Sequence, residues 1–161
     1  MDPSDVEITR ARESAAAALG ALPGSEARSE IRFEIGYPEL VYSPDGRAAY
    51  SLVPGLFAGQ IQAIVRVFLD GRVATVGQLK APAQDCASAV TGLSAGGASR
   101  LTSELAAKYP GAEISLPILV HDGPVGREAW MHSVKNRLAS DLWIFSTAGG
   151  TYSRPAGEFL K

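Results

Sequence analysis

The chain has 161 residues, 46% of them hydrophobic and 20% charged, with a formal net charge of −2. That length buries a core without disulfides, and the balance excludes wholesale disorder and any basic field able to neutralise phosphates, so nucleic acid is not an expected partner. Cys86 is the only cysteine, which excludes an internal disulfide and a thiolate metal cluster and fits a reducing compartment.

The opening "MDPSDVEITR" is acidic and polar where a secretory signal carries a basic stretch and an apolar run. A cytoplasmic chain is expected, an export signal removed ahead of Met1 being the open alternative. No segment approaches the roughly 20 apolar residues of a membrane span, and no membrane partner is expected. From Asp5 to Leu22, Ile8, Ala11, Ala15, Ala18, Leu19 and Leu22 recur at spacings of three and four, the period of an amphipathic helix with a narrow contact face of small residues. Pro23-Gly24 ends it. "EIRFEI" then alternates Ile31, Phe33 and Ile35 with Arg32 and Glu34, which predicts a half-buried strand. "SPDG" at 43–46 is a turn, proline fixing φ and Gly46 permitting a positive one, between the hairpin arms "ELVY" and "RAAYSLV". Ile61 to Leu69 reads as a strand apolar on both faces, and Asp70-Gly71 turns it into "RVATVGQL". The middle segment reads as two helical pieces broken at Gly96-Gly97, the first capped by Asp85 or Ser88 and the second running from Ala98 to Tyr109 before Pro110-Gly111. Four strand-like segments follow, "EISLPILVH", "REAWMHSV", "SDLWIFST" and "TYSRPAGEF".

The two halves share a grammar. Pro38, Leu40 and Val41 match Pro117, Leu119 and Val120, and Arg47, Ala49 and Tyr50 match Arg127, Ala129 and Trp130, a spacing of about 80 residues. Val67-Phe68 before Asp70-Gly71 corresponds to Ile144-Phe145 before Gly149-Gly150, and Pro23-Gly24 to Pro110-Gly111. Duplication explains the shared element order; the alternative is convergence of short hairpins on the same turn residues. The expected fold is α+β, two helix-plus-antiparallel-sheet repeats, residues 1–80 and 81–161, packed as one pseudo-twofold unit.

A helix followed by a curved antiparallel sheet, with Tyr50 or Trp130 on its second strand and a glycine turn before the last, resembles the PepSY and peptidase-propeptide type of module, cystatin-like in shape, in two copies over most of the chain. Those modules commonly carry an aspartate, a small residue and a Thr-Gly pair at the final hairpin. Here the first copy has Asp70-Gly71 and the second "STAGG", with no acidic residue. The resemblance implies a non-catalytic module that binds or restrains another protein, often a peptidase.

His121 and His132 are the only histidines, and both fall in the second hairpin beside Asp122. A base oriented by a carboxylate would suit general acid-base chemistry, and two histidines with a carboxylate could hold a divalent ion, but the spacing is not that of a helical metal site. Cys86 sits in a helical pattern, where a cysteine is usually a small buried hydrophobe. "GLSAGGAS" lacks the lysine and preceding strand of a phosphate loop, and "STAGG" is a hairpin turn before it is an oxyanion hole. No metal and no cofactor are expected. The aromatic residues Tyr42, Tyr50, Phe68, Trp130, Trp143, Phe145 and Tyr152 fall in the strands as core and cross-strand packing.

Two functions follow. The favoured one is a binding module, inhibitor-, propeptide- or immunity-like, that recognises a protein or peptide through its sheet, with Ile64, Arg66, Phe68 and Trp130 as binding residues and a homodimer as the alternative use of the same face. The other is a cofactor-free isomerase or cyclase for a small apolar substrate, with His121, Asp122 and His132 as acid-base groups and Trp130 as cavity wall.

Overall fold

The computed structural model describes residues 4–21 and 33–159. It is α+β, and its strand pairing is mixed: one bridge, Tyr42 with Val120, is parallel, and the other pairings described are antiparallel. Two compact units share the chain, Met1–Val41 with Ala48–Ala89, and Tyr42–Arg47 with Val90–Lys161. No helix among the described residues is long and apolar enough to cross a membrane.

In the first unit, α1 (Asp5–Gly20) starts on a capping box. The Glu7 amide donates to the Ser4 hydroxyl at 3.3 Å, and the Ser4 amide donates to the Glu7 carboxylate at 2.8 Å, so orphan N–H groups at the helix start are satisfied reciprocally. Its buried residues are Ala11, Ala15 and Leu19, with Ala18 partly buried. This small-residue stripe lets the helix lie close on Val53, Ala63, Val65 and Val67. Ser14 Oγ donates to the Gly71 carbonyl at 2.7 Å and fixes the helix on a hairpin turn. Leu22, Pro23-Gly24 and the first three residues of "EIRFEI" lie outside the described residues; Glu34–Ile35 form the short strand β1.

β2 (Glu39–Tyr42), β3 (Ala48–Phe57), β4 (Gln60–Phe68) and β5 (Val73–Ala83) follow. β1 pairs with β3, β3 with β4, and β4 with β5. β3 continues four residues past the segment expected from sequence. Pro54 has no N–H to give, yet its carbonyl accepts from the Gly36 amide at 2.9 Å, and a register shift follows at Gly55/Leu56. Ala58 (φ 53°) and Gly59 (φ 78°) close β3 onto β4, both residues of positive φ as a two-residue primed turn requires.

The break in the middle segment lies at 92–94, not at Gly96-Gly97. α2 (Cys86–Thr91) is capped by Asp85, whose Oδ1 accepts from the Ser88 amide at 2.7 Å, and the chain then turns at Gly92 (φ +73°). α3 (Ala95–Lys108) has Ser94 as its N-cap, accepting from the Gly97 amide at 3.1 Å. The glycine pair therefore sits in the first turn, where the cap supplies what the residues lack in helix propensity. In the second unit, β6 (Glu113–Ile114), β7 (Ile118–His121), β8 (Glu128–Lys135), β9 (Leu142–Thr147) and β10 (Gly150–Pro155) come next. β6 and β7 both pair with β8, then β8 with β9 and β9 with β10. Leu105 of α3 packs with Val134 and Ile144, while Val120, Ala129, Met131, Trp143 and Phe145 form a separate buried cluster.

Candidate functional site

Alternation on β7 and β8 sends adjacent residues to opposite faces, and it distributes the three acid-base candidates among different neighbours. Asp122, one residue beyond β7, is fully buried. Arg154 of β10 grips its carboxylate with two nitrogens, at 2.6 and 3.0 Å, and the Tyr152 hydroxyl donates to the same group. Burial alone would raise this carboxyl, but the Arg154 and Tyr152 hydrogen bonds and the nearby Arg154 and Arg127 charges outweigh it and hold Asp122 below the usual carboxylate range. The Arg154 guanidinium also lies 4.4 Å from the Phe145 ring centre, and Tyr152 stacks on the other residue of that pair at 5.2 Å. Such a carboxylate is a clasp for the last strand, with its lone pairs engaged.

His121 Nδ1 stands 2.9 Å from the Gly123 carbonyl, which requires N–H at Nδ1 and leaves Nε2, 3.2 Å from Ser43 Oγ, to accept in the neutral ring. His121 is paired across the strands with Glu128. His132 lies four positions farther along β8, about 13 Å away at strand rise. It is fully buried, with Nε2 2.9 Å from Thr102 Oγ1 on α3, and Nδ1 has no hydrogen-bond partner among the described residues. Burial pushes its pKa down. The structure thus gives His121, Asp122 and His132 three separate settings instead of one acid-base set. Trp130 is 6% exposed, its indole N–H donating to the Leu93 carbonyl at 2.8 Å.

In the first unit, β4 runs between β3 and β5, so its backbone is paired on both sides. Ile64 is 2% exposed, and Arg66 and Phe68 are half-buried. Arg66 reaches Thr75 Oγ1 at 3.2 Å, and the Arg72 guanidinium covers Phe68 at 5.1 Å while pairing with Asp70 at 2.7 Å. Ile64 and Trp130 are therefore core residues, not a free surface; two-sided apolarity on β4 reflects a strand covered on both faces.

The open backbone lies one strand out. Among the described residues β5 pairs with β4 alone and ends the strand order. Its register slips at both ends, between the Arg66–Thr75 and Val67–Val73 pairs and between the Ala63–Gln78 and Ile61–Ala83 pairs, and its far half adds Lys80 and Pro82, devices that discourage edge pairing. Residues 73–78, "VATVGQ", carry no charge and no proline. They present a row of backbone donors and acceptors to whatever approaches the edge.

Cys86 is buried, and burial, with Glu39 and Asp85 adding, pushes its thiol up to about 12, a poor nucleophile. In "STAGG", the Ala148 amide donates to the Thr91 carbonyl at the end of α2 at 2.9 Å and the Gly149 amide to Thr147 Oγ1 within the turn at 3.1 Å, so both N–H groups are engaged. No group of three His, Cys, Asp or Glu side chains among the described residues could hold a metal ion. An open, polar cleft of about 430 Å³ is lined by Gly111, Ala112, Glu113, Lys135, Asn136 and Arg137, none of them a site candidate from the sequence. Sequence reasoning missed Arg154, Tyr152 and Thr102. The available signal was an arginine two residues after an aromatic in the last strand, on the same face as Phe145, but its partner lies 32 positions away.

Comparison of the chain with protein-family models, with curated proteins and with solved structures found no match.

Proposed function

We propose that the chain is a non-catalytic binding module that takes up an extended segment of a protein partner by strand addition at β5. The observation that carries this reading is the run 73–78: part of an edge strand whose other half is guarded by Lys80 and Pro82, and which itself carries no charge and no proline and keeps an unbroken register from Thr75 to Gln78. Natural sheets usually blunt such edges, and a less guarded stretch beside a charged, proline-bearing one suits recognition through main-chain hydrogen bonds. The engaged carboxylate of Asp122 adds support, since its hydrogen bonds to Arg154 and Tyr152 account for it as a structural group.

The reading includes duplication of a PepSY-like module. Each unit runs helix, two-residue strand, four-residue strand, then a three-strand meander. The pairs Glu34–Leu56 and Ile35–Gly55 in the first recur as Glu113–Lys135 and Ile114–Val134 in the second, at a constant offset of about 80 residues. Matched register is a stricter support than matched turn residues, because a one-residue slip would turn every side chain to the other face.

The test is mass spectrometry of what co-purifies with the chain, followed by hydrogen exchange with and without the recovered partner. Slowed exchange at the amides of 73–78 is the expected result. A partner that binds stoichiometrically and leaves β5 exchange unchanged overturns the site.

A further inference from the structure

Residue 77 in the middle of the open edge is a glycine, and its surroundings say what the incoming strand carries. Gly77 pairs with Ile64, its φ lies outside the left-handed region, and a Cβ built on it would meet nothing within 4 Å. Neither backbone conformation nor a close neighbour demands glycine here. In the interior of a strand glycine costs stability, since it has no side chain to pack and loses more backbone freedom. What the missing side chain leaves is a notch in the face of the sheet, open toward the free edge. An aromatic ring on a neighbouring strand covers such a notch.

Charge narrows the partner further. Residues 73–79 carry none, whereas Arg72, at one end, is neutralised by Asp70 at 2.7 Å. Lys80, at the other end, is exposed and has no ion pair among the described residues. Resting on the strand-addition reading above, we infer that the β5 edge selects an extended partner segment, uncharged over its pairing length, that seats an aromatic side chain over Gly77 and places a carboxylate at Lys80. The backbone ladder supplies attachment; the notch and the ammonium supply register and direction.

The probes are blocked eight-residue peptides of alternating Val and Thr with one central Phe and an Asp at either end, compared with versions in which Phe is Ala or Asp is Lys. They are titrated against the full chain with backbone amide shifts and hydrogen exchange as readouts. The Phe/Asp peptide should protect the amides of 73–78, and exchange of Phe for Ala should weaken it about tenfold. Gly77→Val fills the notch with a good strand former, so its unfolding midpoint should equal or exceed the parent's while affinity for the Phe peptide falls by a similar factor. Lys80→Glu should reverse the preference between Asp and Lys peptides. If the peptides protect β5 but bind equally with Phe or Ala, or if Gly77→Val binds unchanged, this inference is wrong and the edge reading stands. If no peptide protects β5 and the co-purified partner binds elsewhere, both fail. Protection of 73–78 that grows with protein concentration alone would make a second copy of the chain the occupant and overturn the inference.

Discussion

The turns at Ser43–Arg47 and Asp122–Arg127 close in the same way and use their acids differently. In each, the first residue's amide donates to the carbonyl of the arginine that ends the turn, at 2.8 Å in both. In the first, the acid is Asp45, at the exposed tip, where it accepts from the Arg47 amide at 3.1 Å and lies 3.6 Å from the Arg47 side chain. In the second the acid has moved to the opening position, is fully buried, and is held by Arg154 and Tyr152 from the last strand. The backbone event needs only a glycine at positive φ and a local acceptor, as at Gly46 and Gly126. Where the acid falls decides whether it serves its own turn or ties a distant strand.

The largest expected effect breaks the buried arrangement. Asp122→Ala strands the Arg154 guanidinium, whose side chain is 11% exposed, and should cost about 3–5 kcal/mol in urea unfolding. Asp122→Asn keeps acceptor capacity for Tyr152 and should lose less. Because the folded carboxyl is held below its unfolded value of 3.8, the contribution is complete above that pH and is lost as pH falls through the lower folded value. A loss under about 1 kcal/mol for Asp122→Ala would place both turns in the same energetic class.

A second contrast lies one strand on. Two residues before Gly55, the β3 partner of Ile35, stands Val53, and two before Val134, the β8 partner of Ile114, stands His132, both fully buried. The histidine offers one nitrogen to Thr102 and has nothing for the other. On the helix-facing side of β7, β8 and β9 the titratable groups are His121 and Glu128, at the far end of the strand pair, while Arg100, Glu104 and Lys108 of α3 are exposed. A proton on His132 would thus be buried without an acceptor. Its folded pKa lies below 6.5, so its stability is present above that pH and falls as pH drops through it, with a slope of at most about 1.4 kcal/mol per pH unit. His132→Val copies the first unit and should remove that slope between pH 6.5 and 5. Unfolding midpoints across that range are the measurement, and an unchanged slope would assign it to other groups.

Much of the fold was legible because it is written in local periods. The strand Glu39–Tyr42, the Asp70-Gly71 turn and the α1 stripe follow from alternation, turn chemistry and three-four spacing, each set by residues a few positions apart. The helix break at 92–94 was not, because a glycine pair reads as a stop until Ser94 is seen to cap it. The site was less legible still. Two-sided apolarity drew the binding residues to β4, which is an interior strand of the pairing order, and the edge at β5 is a property of that order, which no local pattern states. Asp122 could be picked out as a candidate, but its clasp to Arg154 depends on where β10 falls against the β7–β8 turn.

The smallest expected effect tests the exposed half of the comparison. Asp45 makes two contacts within its own turn, and its side chain is 38% exposed with Arg47 at 87%. Water replaces both interactions at little loss, and salt screens the ion pair. Asp45→Ala should therefore cost within about 0.5 kcal/mol, most of it from the amide that the carboxylate caps. A double-mutant cycle with Arg47→Ala separates the two contributions, since only the side-chain pairing is shared by both variants. The coupling should be near zero in 0.15 M salt, whereas the Asp122–Arg154 cycle should return more than 1 kcal/mol under the same conditions. Equal coupling in the two cycles would show that burial does not separate these turns, and the acid's position in the turn would lose its energetic meaning.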